Sequence, residues 1–158
     1  MMEAVQTVKG DLTEQNVDYI VHQCNCTSKG AKGLAKVIFA KFPETNIYSG
    51  PRRVPKPGEI YVLPTRGESG PQYVVNLVGQ HSPGRPRKSE TAEQRIGWFE
   101  TGLETLLEEH ELTDKTVAFP KNIGCGLAGG DWNEYLNVIQ WFANQNRRMQ
   151  VKVVELEA

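Results

Sequence analysis

Apolar and polar positions along the chain switch repeatedly between a period of two and a period near 3.6. Residues 5–8 read as a short strand that Lys9, Gly10 and Asp11 end. Residues 18–24 are rich in β-formers and apolar at their start, the pattern of an interior strand covered on both faces. A loop with Gly30 and Gly33 follows. Ala35, Ile38, Phe39 and Phe42 then share one side of a helix over 33–42, which Pro43 stops. A turn-rich crossing, with Gly50-Pro51 and Pro55-Lys56-Pro57-Gly58, leads to strands over 59–64 and 72–78, joined by a glycine-containing turn around 66–70. Thr91 and Gln94 have the spacing of a capping box, and Ile96, Phe99, Leu103 and Leu106 form the buried stripe of the helix behind it. A strand over 115–120 precedes a helix capped by Asp131, with Trp132, Leu136, Ile139 and Ala143 on its inner side. Residues 150–156 close the chain as a last strand.

Strands alternating with helices predict an α/β fold of three layers, α/β/α, around a mixed, mostly parallel sheet. The 158 residues suit one domain over 1–158. A chain of this size buries roughly 70% of its unfolded surface and needs no staples. In such folds ligands sit beyond the carboxyl ends of the parallel strands. Two glycine loops leave strands at that end. The richer one carries Gly124, Gly126, Gly129 and Gly130, just before a helix. Glycine allows φ > 0 and close approach of a ligand to the main chain, and a helix start presents free N–H groups. The loop reads as an anion cradle or as a plain surface loop, and a second such loop at the same edge suggests a diphosphate bridging the two.

Charge narrows the partners. The formal net charge is −1, which argues against a dedicated duplex-DNA binder and leaves room for a small anion held by backbone amides. Cys24, Cys26 and Cys125 are odd in number and form no CxxC pair, so a reducing setting is expected rather than a disulfide framework. The first residues lack the pattern of a signal peptide, and no apolar run reaches the length of a membrane span. The expectation is a cytoplasmic or nuclear monomer with no membrane partner. His22 and Cys24 share a strand face with Cys26 close by, but a tetrahedral site lacks a fourth ligand, so neither metal nor cofactor is expected. Trp98, Trp132 and Trp141 fall on helices and read as packing groups.

Three motifs stand in order: Lys9-Gly10-Asp11-Leu12, then Val21-His22-Gln23-Cys24-Asn25-Cys26 with Gly33-Leu34-Ala35, then Ile123-Gly124-Cys125-Gly126-Leu127-Ala128-Gly129-Gly130-Asp131-Trp132. The set resembles the macrodomains, an ADP-ribose-binding α/β/α family. It is most similar to the branch holding the ADP-ribose-1''-phosphate phosphatases and the terminal ADP-ribose protein glycohydrolase. The resemblance implies that Asp11 accepts a hydrogen bond from the adenine amino group, with Leu12 beside the ring. It implies that Asn25 holds the distal ribose, whose other reading is an Asx turn. Residues 28–33, including Lys32 and Gly33, with Leu34 next to them, would follow the diphosphate and distal ribose. Gly124, Cys125, Gly126, Leu127, Ala128 and Gly129 would wrap the phosphates.

Two departures matter. Ala31 replaces a glycine common in the family, beside Lys32, which either meets a phosphate or is solvated. The lysine and aspartate of the glycohydrolase branch correspond to Gln80 and Ala128, which counts against a covalent lysine mechanism. For proton transfer two groups offer themselves. His22 is either a general acid or base or a core histidine. Asp131 either orients a water or caps its helix. His81 and the cluster Arg85 to Lys88 read as a mobile basic loop beside the cleft. The resemblance thus implies an enzyme that binds ADP-ribose and hydrolyses its derivatives, ADP-ribose-1''-phosphate first and ADP-ribosylated proteins next. The rivals are a reader module without turnover and an RNA-binding domain using a basic patch from Arg85 to Arg95.

Overall fold

The computed structural model describes residues 4–49, 54–87 and 90–156. The strands are β1 (Val5–Lys9), β2 (Tyr19–Asn25), β3 (Ile60–Pro64), β4 (Tyr73–Gln80), β5 (Thr116–Pro120) and β6 (Gln150–Glu155), and the helices are α1 (Gly33–Lys41), α2 (Ala92–Glu109) and α3 (Trp132–Asn144). They lie in the predicted order. The Gly50-Pro51 turn and Lys88 fall outside the described residues.

The strands form one sheet in the order β1-β6-β5-β2-β4-β3. Every neighbouring pair is parallel except β3 with β4, which the turn between them makes antiparallel. The central strands β2 and β4 are buried along almost their whole length, as their unbroken apolar runs require. Side chains alternate across the sheet. Val21, Val75 and Leu77 meet α2 and α3 in one apolar cluster, while Ile20, Cys24, Val74 and Val78 meet α1 in the other. This is the three-layer arrangement that the pattern predicts. No helix among the described residues is long and apolar enough to cross a membrane.

The helices depart from the predicted faces in instructive ways. On α2, Phe99, Leu103 and Leu106 are fully buried, whereas Ile96 is only partly covered and Arg95 takes a buried position with them. The predicted capping box is present: the Thr91 hydroxyl accepts from the Gln94 amide and the Gln94 side chain accepts from the Thr91 amide. On α3 the buried side is Tyr135, Ile139, Phe142 and Ala143, with Trp132 and Leu136 half-buried. The i, i+3, i+4 rule allows both stripes. The aromatic stripe wins because Phe142 packs edge-on against Phe119 and Tyr135 packs against Phe99 under the glycine loop. Gly102 lets α2 approach β4 closely, since a Cβ there would fall 2.8 Å from Leu77 Cδ1. Helix α1 ends at Lys41, one residue before the predicted limit, with Phe42 as its buried C-cap.

Candidate functional site

Three loops leave the carboxyl ends of β2, β4 and β5 at the same end of the sheet: residues 26–32, 81–87 and 121–131. They enclose a cleft of about 700 Å³. A bulge shapes its floor. Cys24 pairs with Val78 and Asn25 with Gln80, leaving Gly79 as the extra residue. A Cβ at Gly79 would lie 2.7 Å from Gln23 Cδ, so any larger residue would have to displace the Gln23 side chain. Gln23 Nε2 donates to Gln80 Oε1 at 2.8 Å, and Gln80 Nε2 donates to the Ser82 carbonyl. Two neutral side-chain amides, those of Gln23 and Gln80, therefore meet at the cleft.

The glycine loop is folded on itself. Gly130 N–H donates to the Gly124 carbonyl, Gly129 N–H to the carbonyls of Cys125 and Gly126, and Cys125 N–H to Asn122. Gly124 and Gly129 have φ of 75° and 74°, the left-handed region that favours glycine. This folding consumes carbonyls and leaves the N–H groups of Gly124, Gly126, Leu127 and Ala128 without a partner among the described residues. All four residues line the cleft. Across from them lies the start of α1. Its N-cap, Lys32, makes no side-chain capping bond, so the amides of the first turn stay open where Gly33, Leu34 and Ala35 line the same cleft. The loops approach each other at their tips: a Cβ on Gly33 would sit 3.7 Å from Leu127 Cδ1. Leu127 is 69% exposed, a large apolar side chain held on the rim.

Of the residues singled out by sequence, the cleft brings together His22, Asn25, Lys32, Gly33, Leu34, Gly124, Cys125, Gly126, Leu127 and Ala128. Asp11, Leu12, Gly129 and Asp131 do not line it. The Asp11 carboxylate accepts from Thr13 N–H at 2.8 Å and from the Thr13 hydroxyl at 2.7 Å, and Leu12 is buried in the α1 cluster. The Asp131 carboxylate caps α3 through Asn133 N–H at 2.9 Å. Asn25 Oδ1 closes an Asx turn with the amides of Thr27 and Ser28, and its Nδ2 has no partner among the described residues.

His22 sits on the floor, 1% exposed. Its Nε2 lies 2.6 Å from Asn76 Oδ1, and Asn76 Nδ2 donates to the carbonyls of Thr45 and Tyr61. Asn76 thus presents its oxygen to the ring, so Nε2 carries the proton and Nδ1 keeps a lone pair. That Nδ1 is buried and unpartnered. Burial lowers the imidazole to about 4, against the opposing effect of the hydrogen bond it donates to Asn76. Burial thus favours the neutral ring at pH 7. Nε2 lies 3.7 Å from Cys24 Sγ, while Cys26 Sγ turns to the Gln80 carbonyl. The Cys125 thiol is pushed up to about 11 by burial and then by Asp131, so it stays protonated.

Sequence reasoning missed one group. Glu90 and Arg95 form a buried ion pair at 2.6 Å, with side chains 5% and 2% exposed. Arg95 also donates to the carbonyls of Ser82, Gly84 and Ala128. The Glu90 carboxylate accepts the amides of His81 and Ser82. Burial would raise that carboxyl, but Arg95 and the two amides hold it below its ordinary value. Two sequence-based expectations change. The His81 end of the expected basic loop is tied down by Glu90 and Arg95, and Arg95 is not part of an exposed basic patch. The signal was present: Arg95 stands at i−4 to Phe99 on an apolar stripe, and a charge there demands a partner.

A family model, Macro domain, matches residues 21–139. An ADP-ribose 1''-phosphate phosphatase of Scheffersomyces stipitis is 24% identical over 140 residues, covering 72% of this chain and 74% of the relative. Among solved structures, the macrodomain of Mycobacterium tuberculosis DarG superposes with a TM-score of 0.70 at 19% identity, covering 98% of both chains. The Oceanobacillus iheyensis macrodomain with ADP gives 0.68 at 20% identity, covering 97% of this chain and 83% of that one, and a mutant of it is solved with ADPR.

Proposed function

The chain belongs to the Macro domain family, and from that premise we propose that its cleft binds ADP-ribose and hydrolyses ADP-ribose derivatives, ADP-ribose-1''-phosphate first among them. The observation that carries the reading is the set of open amides. Those of Gly124, Gly126, Leu127 and Ala128 face the uncapped start of α1 across one cleft. A diphosphate has the charge and the acceptor oxygens to bridge them, and backbone donors hold it without net positive charge.

Among the described residues the charged side chains lining the cleft are Lys32 and Lys121, with no carboxylate among them. Such a wall favours a ligand with a further phosphate on the distal ribose. Hydrolysis of that ester places a water on phosphorus, breaks the bond between phosphorus and the 1''-oxygen, and returns a proton to that oxygen. The products are ADP-ribose and inorganic phosphate. Asn25 Nδ2 donates to the distal ribose, while its Oδ1 fixes the loop. Of the two groups considered for proton transfer, His22 is on the cleft floor with a free Nδ1 lone pair, whereas the Asp131 carboxylate is engaged at the α3 cap.

Calorimetric titration with ADP-ribose, with AMP and ribose-5-phosphate as controls, tests the binding step. Phosphate release from ADP-ribose-1''-phosphate tests the chemistry, and Asn25→Ala is expected to abolish it. Binding without phosphate release would leave a reader module. Absence of ADP-ribose binding in a folded sample would overturn the reading altogether.

A further inference from the structure

The loops after β4 and β5 form two walls of the cleft. Among the described residues no hydrogen bond passes directly between 81–87 and 122–130. The connection runs through Arg95 on α2. Its guanidinium donates to Ser82 and Gly84 in one wall, at 3.0 and 2.6 Å, and to Ala128 in the other, at 3.3 Å. Glu90 grips the first wall a second time, through the amides of His81 and Ser82. The His81 carbonyl in turn accepts from Cys26 N–H, which begins the third loop. One buried ion pair therefore fixes the relative placement of all three loops that carry the cleft.

We infer that Glu90 and Arg95 are the positioning pair of the cleft: they hold the Ala128 peptide against α2 so that the open amides of the glycine loop stand at a fixed distance from the other walls. Burying two charges in a domain core brings little net stability, since well-packed apolar residues of like volume do as well. What apolar residues cannot do is hold carbonyls of two loops by one planar fork of donors. The pair is thus placed for geometry. Neither residue lines the cleft, and the pair acts through the loops. Packing continues the same join: a Cβ on Gly129 would lie 2.9 Å from Arg85 Cγ, so the stem of Arg85 lies against the glycine loop.

The consequence for binding rests on the ADP-ribose reading, and the test separates the two. The pair is replaced as a unit, Glu90→Leu with Arg95→Met, and amide hydrogen exchange is measured without ligand. Segments 81–84 and 124–130, read at their hydrogen-bonded amides (His81 and Ser82 in the first, Cys125, Gly129 and Gly130 in the second), are expected to exchange at least ten-fold faster together, while the amides of β2 and β4 keep wild-type protection. Arg95→Lys serves as a second variant. It keeps the charge beside Glu90 but drops the fork, and is expected to accelerate 124–130. Unchanged exchange of 124–130 in both variants would overturn the inference whatever the ligand. ADP-ribose affinity is then expected to fall ten-fold or more in the paired variant, and wild-type affinity in the folded variant would likewise overturn it. Failure of the wild type to bind ADP-ribose would remove the functional reading and leave the exchange result to decide the positioning role.

Discussion

Two glycines of the same loop should respond in opposite ways to one added methyl group. Gly124 has φ of 75°, and a Cβ there would lie 2.6 Å from Tyr135 Cε1 and 2.8 Å from its hydroxyl oxygen. Tyr135 is 2% exposed and packs against Phe99 at 5.0 Å between centroids, so its ring has nowhere to go. The left-handed backbone costs an L-residue about 1–2 kcal/mol. Overpacking a filled site costs about 1–3 kcal/mol more. Gly124→Ala should therefore lose about 2–5 kcal/mol. At about 2–4 °C per kcal/mol for a domain of this size, the melting temperature should drop by roughly 10 °C. Gly126 is two residues away. It is not in the left-handed region, and a Cβ there meets nothing within 4 Å. Gly126→Ala should melt within about 4 °C of the wild type, because a compatible glycine replacement changes stability by only about 0.4–1 kcal/mol. Differential scanning fluorimetry of the two variants is the assay, and Gly126→Val extends it to function. The longer side chain stands in open space on the cleft wall, so it should leave melting nearly unchanged while weakening ADP-ribose binding at least ten-fold. Equal melting of Gly124→Ala and Gly126→Ala would refute the placement of the loop over Tyr135.

Other outcomes follow from single groups. The folded pKa of His22, about 4, lies below its ordinary 6.5. Its contribution is thus fully present above pH 6.5 and lost as pH falls toward 4. The amount is about 3 kcal/mol, and the wild-type denaturation midpoint should fall over this window more steeply than that of His22→Gln; parallel profiles would contradict the buried neutral ring. Glu90, held below its ordinary value, adds stability at neutral pH that is lost only in more acidic solution, as pH falls through its lowered pKa. Removing one partner by Arg95→Met leaves that carboxylate buried alone and should cost about 3–5 kcal/mol in chemical denaturation, more than the paired replacement does. Asp131→Asn retains a capping oxygen and should keep both stability and turnover, while Asp131→Ala should lose about 1 kcal/mol; loss of turnover in a stable Asp131→Asn protein would return that residue to the chemistry.

The sheet was legible because its strands are long apolar runs punctuated by glycine and proline, and period alone separates them from the helices. The glycine loop was legible for a different reason: main-chain donors leave their mark as glycines, at Gly124 and Gly129, where φ must be positive. Side-chain commitments are harder to read. Asp11 and Asp131 have the sequence of turn or cap residues and of ligand contacts alike, and only coordinates show their oxygens on Thr13 and Asn133. His22 offers the same ambiguity. Its identity announces chemistry, but its charge depends on Asn76, a residue of another strand, and on burial. Glu90 and Arg95 carry the most general lesson. They looked like parts of a solvated, basic segment because the surrounding residues are polar and glycine-rich. Yet a side chain at the first turn of α2 follows the helix face, not the composition of the loop before it. Phe99, Leu103 and Leu106 set that face inward, and Arg95 goes with them. Once inside, the guanidinium needs acceptors, and those it finds are the carboxylate of Glu90 and the carbonyls of Ser82, Gly84 and Ala128 in two loops. Ala128 joins the two features: its N–H is open on the cleft side while its carbonyl accepts from Arg95, so anion cradle and buried clamp meet in one residue.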